Sequence, residues 1–542
     1  MEQETFTIKG NIVDIVNRQI FKGTIQVKNK KIESIKKEEV KENQFILPGF
    51  IDSHIHIESS MLIPSEFSKI AVKHGTVGVV TDPHEIANVL GMKGIEFMIK
   101  NSKKAKLKIY FGAPSCVPAT CFESSGAIID SKDINKLLSK KEIICLSEMM
   151  NFPGVIHKDK EILKKIDAAK KHHKVVDGHA PGLTGKNAKK YIDAGISTDH
   201  ECSTLEEAQE KIKYGMKILI RQGSAAKNFD NLIPLIKKYP NQIMFCSDDK
   251  HPDDLIKGHI NLLVKKAIKE KYDLMDVLRA ATLNPIKHYG LNVGLIQKGD
   301  KADFIVVDNL ANFRVLKTYV DGEEIIEEKI NRISKEKPIN NFLAKKILQK
   351  DIEVKDLGKK IKVIKAIDKQ LLTKTMIVSP KIKNGQIVSD NKKDVLKIVV
   401  LNRYKKSKPS IAFINGFKLK KGAIASSIAH DSHNIVAVGE NDKDIIDAIN
   451  RVIENRGGLA YATNGKINSL RLPFAGLMTN EDGNKTAKKY QELDLIVRKF
   501  GTKLHAPFMT LSFMALLVIP QLKISDKGLF DVEKFSFTKL TV

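Results

Sequence analysis

Eight times between residues 50 and 249 the chain passes from a short apolar, β-branched run into a longer stretch with one polar face. The runs are FIDSHIHI (50–57), VGVVTD (77–82), KIYFGAP (108–114), IICLSEM (143–149), KVVDGHA (174–180), ISTDHE (196–201), KILIRQGS (217–224) and QIMFCSDD (242–249). Between them lie segments of helical period, such as KEILKKIDAAKKHHK (160–174) and TLEEAQEKIKYGM (204–216). Short apolar runs bounded by turn signals suit buried strands, and the longer period suits helices packed over them. Strands joined by helical crossovers pair in parallel, and eight such units close into a (β/α)8, TIM-like barrel.

The barrel accounts for less than half of the 542 residues, so the chain divides into several domains. Residues 5–46 alternate apolar and polar positions, with Gly23 and Asn29-Lys30 read as turns, and the same pattern returns at 295–328. The two stretches predict one small β-sandwich, residues 1–47 with 292–330, into which the barrel (48–291) is inserted. A lysine-rich connector with some helix follows (331–360), then a C-terminal α/β or α+β domain (361–542). In that last domain VLKIVVL, IAFING and NIVAVGE read as strands and DKDIIDAINRVIENRG as a helix.

Chemistry on such a barrel sits at the C-terminal ends of its strands. There the sequence places His54 and His56, Asp82, His84 and Glu85, Glu148, His179, Asp199, His200 and Glu201, then Asp248 and Asp249. In His-x-His on a strand both imidazoles point the same way, so both nitrogens reach one ion. Glu148 ends an apolar strand, where a lone carboxylate is costly, and a carboxylate between two cations satisfies both lone-pair sets. Asp248 is the candidate ligand and proton acceptor, with Asp249 its competitor. Asp82 and His84 are read as contacts to a third ion or to substrate, and Glu85 as a group for proton delivery. Arg221, Ser224 and His251 lie near enough to the mouth to touch substrate. Cys116 and Cys121 lack the Pro-Cys-x-x-Cys and His-x-Glu spacings of the cytidine-type zinc deaminases and read as ordinary buried thiols. His430 and His433, around Asp431, read as a turn with satisfied hydrogen bonds, or as a contribution to the site or to a second metal.

The formal charge of +27 invites a nucleic-acid reading, but the excess is dispersed lysine, with no Trp and few aromatics to stack bases. Five cysteines confined to the first half make a poor disulfide framework, and the first residues show no signal sequence. No apolar run is long enough to span a membrane. A cytoplasmic protein is expected, with a small-molecule substrate and water as partners, no specific nucleic acid, no membrane, and assembly into a homo-oligomer.

The order of the strand-end residues resembles that of the amidohydrolase superfamily. Their surroundings are similar to its adenine deaminase family in LPGFIDSHIHIESSML, TDPHEIANVLG, SEMMNFPGV, DGHAPGLTGK, STDHECST and SDDKHPDDL. The likeness continues through AATLNPIKHYGL, GDKADFIVVDN and AIASSIAHDSHNIVAVG, over nearly the whole chain. The resemblance implies hydrolysis of adenine to hypoxanthine and ammonia in purine salvage, by a hydroxide activated on a divalent centre, two ions of Mn2+ or Fe2+. It carries metal roles onto His54, His56, Glu148, His179, His200 and Asp248. Many superfamily members place a carbamylated lysine on the fourth strand; Glu148 stands there in this chain. The alternatives are an amidohydrolase acting on another heterocycle or a cyclic amide, and a basic nucleic-acid-binding protein on an inactivated scaffold.

Overall fold

A computed structural model describes residues 5–326 and 336–542. Residues 1–4, the 327–330 end of the expected sandwich and the 331–335 start of the expected connector lie outside the described residues. Strands Phe50–Ile55, Thr76–Thr81, Lys108–Ala113, Ile143–Met149 and Val175–Gly178 form one parallel sheet, and Thr198–Asp199, Lys217–Arg221 and Ile243–Cys246 another. Parallel bridges Val176–Ile196 and Ile55–Asp248 join the two sheets at both edges, so the eight strands close into a barrel. At the closing seam Asp248 N donates to His54 O at 2.9 Å and His56 N to Asp248 O at 3.3 Å. The first and second strands are buried along their whole length, as parallel strands covered on both faces must be. Three of the crossover helices, Ser131–Leu138, Lys160–Lys171 and Leu205–Lys213, are capped by a side chain and amphipathic. Asp159 accepts from Glu161 N and Ile162 N to start Lys160–Lys171, which turns Ile162, Ile166 and Ala169 inward.

The N-terminal strands and the chain leaving the barrel share one seven-stranded sheet, ordered 323–324, 315–320, 304–307, 45–48, 5–14, 19–28 and 31–37. It curls until its far edges meet, with Ala302 N donating to Lys30 O at 3.0 Å and Lys30 paired to Glu323 at 3.2 Å. Ile25, Val27, Ile46, Phe304 and Tyr319 fill the inside of the curl. Asn29 and Lys30 form a left-handed turn as expected, but Gly23 does not mark one. It lies mid-strand opposite Gly10, where a Cβ would meet Lys36 O at 2.3 Å, so its role is close approach of the neighbouring strand. The first turn lies instead at residues 15–18, closed by Asp14 Oδ1 accepting from Val16 N and Asn17 N.

The C-terminal part centres on an eight-stranded mixed sheet. Alternation along Ile435–Gly439 divides its two faces: Ile435 and Ala437 pack on the helix Asp442–Asn455, while Val436 and Val438 join the core that continues into the barrel. This second face seats the sheet over the barrel mouth. The described part of the connector corrects the expectation of helix there, since it carries only a 3-10 turn at Gln349–Asp351. It is tied to the C-terminal sheet by Leu343 N and Ala344 N on Arg403 O, and buries Phe342, Ile347 and Ile352.

Candidate metal centre

The alternation of the first barrel strand turns His54 and His56 to the same side, and their Nε2 atoms lie 3.2 Å apart. Glu148, from the fourth strand, sits between two pairs of imidazoles. Its Oε1 is 3.3 Å from both His56 Nε2 and His84 Nδ1, and its Oε2 is 2.7 Å from His179 Nδ1 and 3.2 Å from His200 Nε2. Asp248 Oδ1 lies 3.2 Å from His56 Nε2 and 3.7 Å from His54 Nε2. Asp249, the competing choice, instead accepts from Ser59 Oγ at 2.5 Å. Every one of these side chains is buried, and His179 Nε2 has no protein partner.

This donor set fits divalent cations. Ligand atoms about 2.0 Å from a tetrahedral ion stand roughly 3.3 Å from one another, close to the separations found here. Within the cluster, His54, His56 and Asp248 form one group whose ligand atoms all lie within 4.8 Å of one another, and His54, Glu148 and His200 another. Burial works to raise the Glu148 carboxyl, but His179, His200 and His56 outweigh it and hold the group well below the usual carboxylate range. Asp248 is likewise held low against burial, chiefly by Arg221 and then by His56 and His200. Both are therefore carboxylates, as cation ligands must be.

Supporting contacts fix these side chains, and several come from residues that the strand-end rule does not reach. Asp52 Oδ1 accepts from His54 N at 3.2 Å and Ser247 N at 3.0 Å, while Oδ2 accepts from Ser247 Oγ at 2.5 Å, stitching the first strand to the eighth. His259 Nε2 lies 2.8 Å from Asp52 Oδ2 but off the line of a hydrogen bond, so that contact is electrostatic. Tyr191 OH donates to Met149 O at 2.7 Å and accepts from His179 N at 3.1 Å. His56 Nδ1 meets Asp82 O at 3.1 Å, and Asn228 Nδ2 donates to His200 O at 3.0 Å. Asp199 faces away from the cluster, onto Lys211 at 2.7 Å.

Asp82, His84 and Glu85 stand beside the cluster at the start of a short helix, with His84 Nδ1 3.2 Å from Asp82 Oδ2 and its Nε2 3.4 Å from Glu85 Oε1. Glu85, expected as an acid, is held from above by the C-terminal domain. The loop Ala429–Asn434 of the C-terminal domain reaches over the mouth, and His430 Nδ1 and His433 Nε2 each hydrogen-bond one Glu85 oxygen. Burial raises the Glu85 carboxyl, but His430, His433 and His84 hold it well below its ordinary value; His430, despite burial, is raised to about 9 by Glu85. The proton therefore sits on the histidine side of the pair. Residues 430–432 form the expected turn, with His433 N donating to Ala429 O at 2.7 Å, and that turn also contributes to the site; it is held by Arg403, which donates to His433 O at 3.3 Å, and Tyr404, whose OH donates to Ser432 O at 2.5 Å.

Three expected substrate contacts are placed differently. Arg221 borders the cavity, but its guanidinium is committed to Glu201 through both Nη atoms and to Asp248 Oδ2 at 2.6 Å, so it braces Asp248. Ser224 donates to Asp254 at 2.8 Å, and His251 meets Tyr490 OH at 2.8 Å; both tie the eighth loop outward and neither lines the cavity. Cys116 is buried, whereas Cys121, expected to be buried too, is exposed. The cavity over the cluster is roofed by apolar groups that the sequence reading missed, Met150 from the barrel and Leu371, Phe513 and Leu516 from the C-terminal domain. Phe513 stacks on the His430 ring at 4.7 Å. Among the described residues no helix is long and apolar enough to cross a membrane.

Residues 45–325, more than half of the chain, match the Amidohydrolase family, and residues 370–536 match the Adenine deaminase C-terminal domain. With a closed parallel barrel and a histidine–carboxylate cluster at its mouth, the chain belongs to the amidohydrolase family. It is 52% identical over 546 residues to the adenine deaminase of Methanosarcina mazei, covering 98% of each chain. It is 53% identical over 534 residues to that of Sulfurovum sp., 98% of each, and 48% identical over 543 residues to that of Parabacteroides distasonis, 100% of each. Within the amidohydrolases it therefore belongs to the adenine deaminase family.

Proposed function

We propose that the protein hydrolyses adenine to hypoxanthine and ammonia at this centre. We assign the metal ligands as His54, His56, Glu148, His179, His200 and Asp248, two ions of Mn2+ or Fe2+ as the cofactor, and Asp82 and His84 as contacts to a third ion or to substrate. The observation that carries the reading is Glu148, whose two oxygens face two different groups of imidazoles, an arrangement suited to a bridge between two cations. The adenine deaminase name shared by relatives over the whole chain supports the substrate and disfavours both alternatives.

Divalent ions held there supply the Lewis acidity that makes water a nucleophile near neutral pH. Asp248 Oδ1 faces the ligand cluster while Arg221 holds Oδ2, so the carboxylate is anionic and aimed. It takes the proton that water loses as oxygen adds to C6 of adenine. It then returns that proton to the exocyclic amine as the C6–N bond breaks and ammonia leaves. The Glu85–His430 pair supplies a proton to a ring nitrogen, and it recovers one from the O6 hydroxyl as the C6 carbonyl forms, so both protons of the water are accounted for and none is consumed. Met150, Leu371, Phe513 and Leu516 shield the histidine–carboxylate cluster from bulk water.

The proposed setting is purine salvage in the cytoplasm by a homo-oligomer that binds no specific nucleic acid. Five free cysteines support a reducing compartment. The proposed domain bounds are 1–47 with 292–330, 48–291, 331–360 as connector, and 361–542. Ammonia release from adenine by protein loaded with manganese or iron tests the activity, alongside Glu148→Gln and Asp248→Asn. Turnover lost in both variants is expected; a folded, metal-loaded wild type inert on adenine overturns the substrate assignment.

A further inference from the structure

The metal cluster is roofed closely. The cavity over it measures about 30 Å³, room for a couple of waters and not for a bicyclic base. Beside it lies a second cavity of about 440 Å³, the size of a small-molecule site. Met150 borders both. The larger cavity is walled by the loops after the third, fourth and fifth barrel strands, with Ala119, Phe152 and Pro181, and by Phe535 of the C-terminal domain. These loops belong to the face on which barrel active sites open. At the inner end Met150 is buried, with 5% of its surface exposed; at the outer end Cys121 is exposed and Phe535 is 51% exposed. No charged side chain lines it, and Thr120 and Asn151 are its polar members among proline, alanine and aromatic walls. Such a lining suits a flat, uncharged heteroaromatic ring, which gains apolar contact and needs few hydrogen bonds.

We propose that this cavity is a binding vestibule for the uncharged purine base, and that Met150 is the gate between it and the metal centre. The proposal rests on adenine being the substrate. The unbranched thioether side chain of Met150 changes rotamer readily, as a gate must. Its backbone N is tied to Glu148 O at 3.1 Å, so the side chain can swing while the bridging carboxylate stays in place.

Cys121, exposed where the other four cysteines are buried, is a reporter at the outer rim. The full-length, metal-loaded protein is treated with N-ethylmaleimide, and the rate of Cys121 labelling is followed by mass spectrometry with and without saturating adenine. Adenine is expected to slow labelling several-fold. The adduct is expected to lower kcat/KM for adenine roughly tenfold or more, with bound metal unchanged and with no such effect of the reagent on Cys121→Ser. Ala119→Trp, which fills the cavity, is expected to do the same. Labelling at the same rate with and without adenine overturns the proposal, even where the enzyme turns adenine over. A wild type that does not deaminate adenine overturns the substrate assignment instead, and protection of Cys121 then decides the vestibule by itself.

Discussion

Replacing Asp52 with alanine is expected to loosen the metal centre although Asp52 is not among its ligands. The residue is wholly buried and accepts from His54 N, Ser247 N and Ser247 Oγ, so it joins the strand bearing His54 and His56 to the turn bearing Asp248. The hydroxyl of Ser247 can rotate to another acceptor; the two backbone donors cannot. Each buried donor left without a partner costs about 1–3 kcal/mol, and loss of the contact with His259 adds to it, for a total of roughly 3–5 kcal/mol. At roughly 2–4 °C per kcal/mol for a domain of barrel size, the barrel transition falls by about 10 °C. Metal affinity falls by roughly 10–100-fold, as for other residues that orient ligands. Asp52→Asn keeps an acceptor, Oδ1, for both backbone donors and loses only the charge that faces His259. It is therefore expected to lose about 1 kcal/mol. Calorimetry and metal titration on the wild type and both variants decide the matter. An Asp52→Ala protein that unfolds within about 2 °C of wild type and holds metal equally well refutes the reasoning.

Glu85→Gln breaks the charged hydrogen bonds to His430 and His433, and should lower kcat by about 10²–10⁴-fold with metal content unchanged, as steady-state rates and metal analysis will report. Arg403→Met leaves His433 O, Ala475 O and Asn340 Oδ1 without their donor, so kcat should fall roughly tenfold; partial rescue by Arg403→Lys distinguishes positioning of the loop from loss of fold. Burial lowers His251 to about 3 beside Tyr490 OH. The unfolded chain takes up that proton near pH 6.5, so the folded state loses stability as pH falls from about 6.5 toward 3. His251→Gln should flatten Tm against pH across that window, and an unchanged slope counts against the assignment.

Much of the site is readable along the chain because a strand's period of two is local. His54 and His56 share a side whatever lies above them, and an apolar run that ends in Glu148, His179 or Asp248 delivers that group to the mouth once the strands pair in parallel. The mistaken expectations fall where no local period speaks. Gly23 is read as a turn because glycine is common there, yet it serves a close strand contact set by its neighbour. The described part of the connector, 336–360, has helix-forming residues, but its buried anchors on the C-terminal sheet hold it in a largely non-helical path. Arg221 lies at the mouth as expected, and only the folded arrangement shows that Glu201 and Asp248 already occupy its donors.

The barrel, its strand-end histidines and carboxylates and the family membership were determined by the sequence alone, because each rests on short-range alternation and on segments that keep their order along the chain. The completed mouth was decided by the tertiary structure. His430 reaches Glu85 across 345 residues, and Leu371, Phe513 and Leu516 close the cavity, because one face of the C-terminal sheet buries its apolar side chains against the barrel. That docking is a matter of long-range burial, which has no preferred sequence separation and so leaves no local pattern to read.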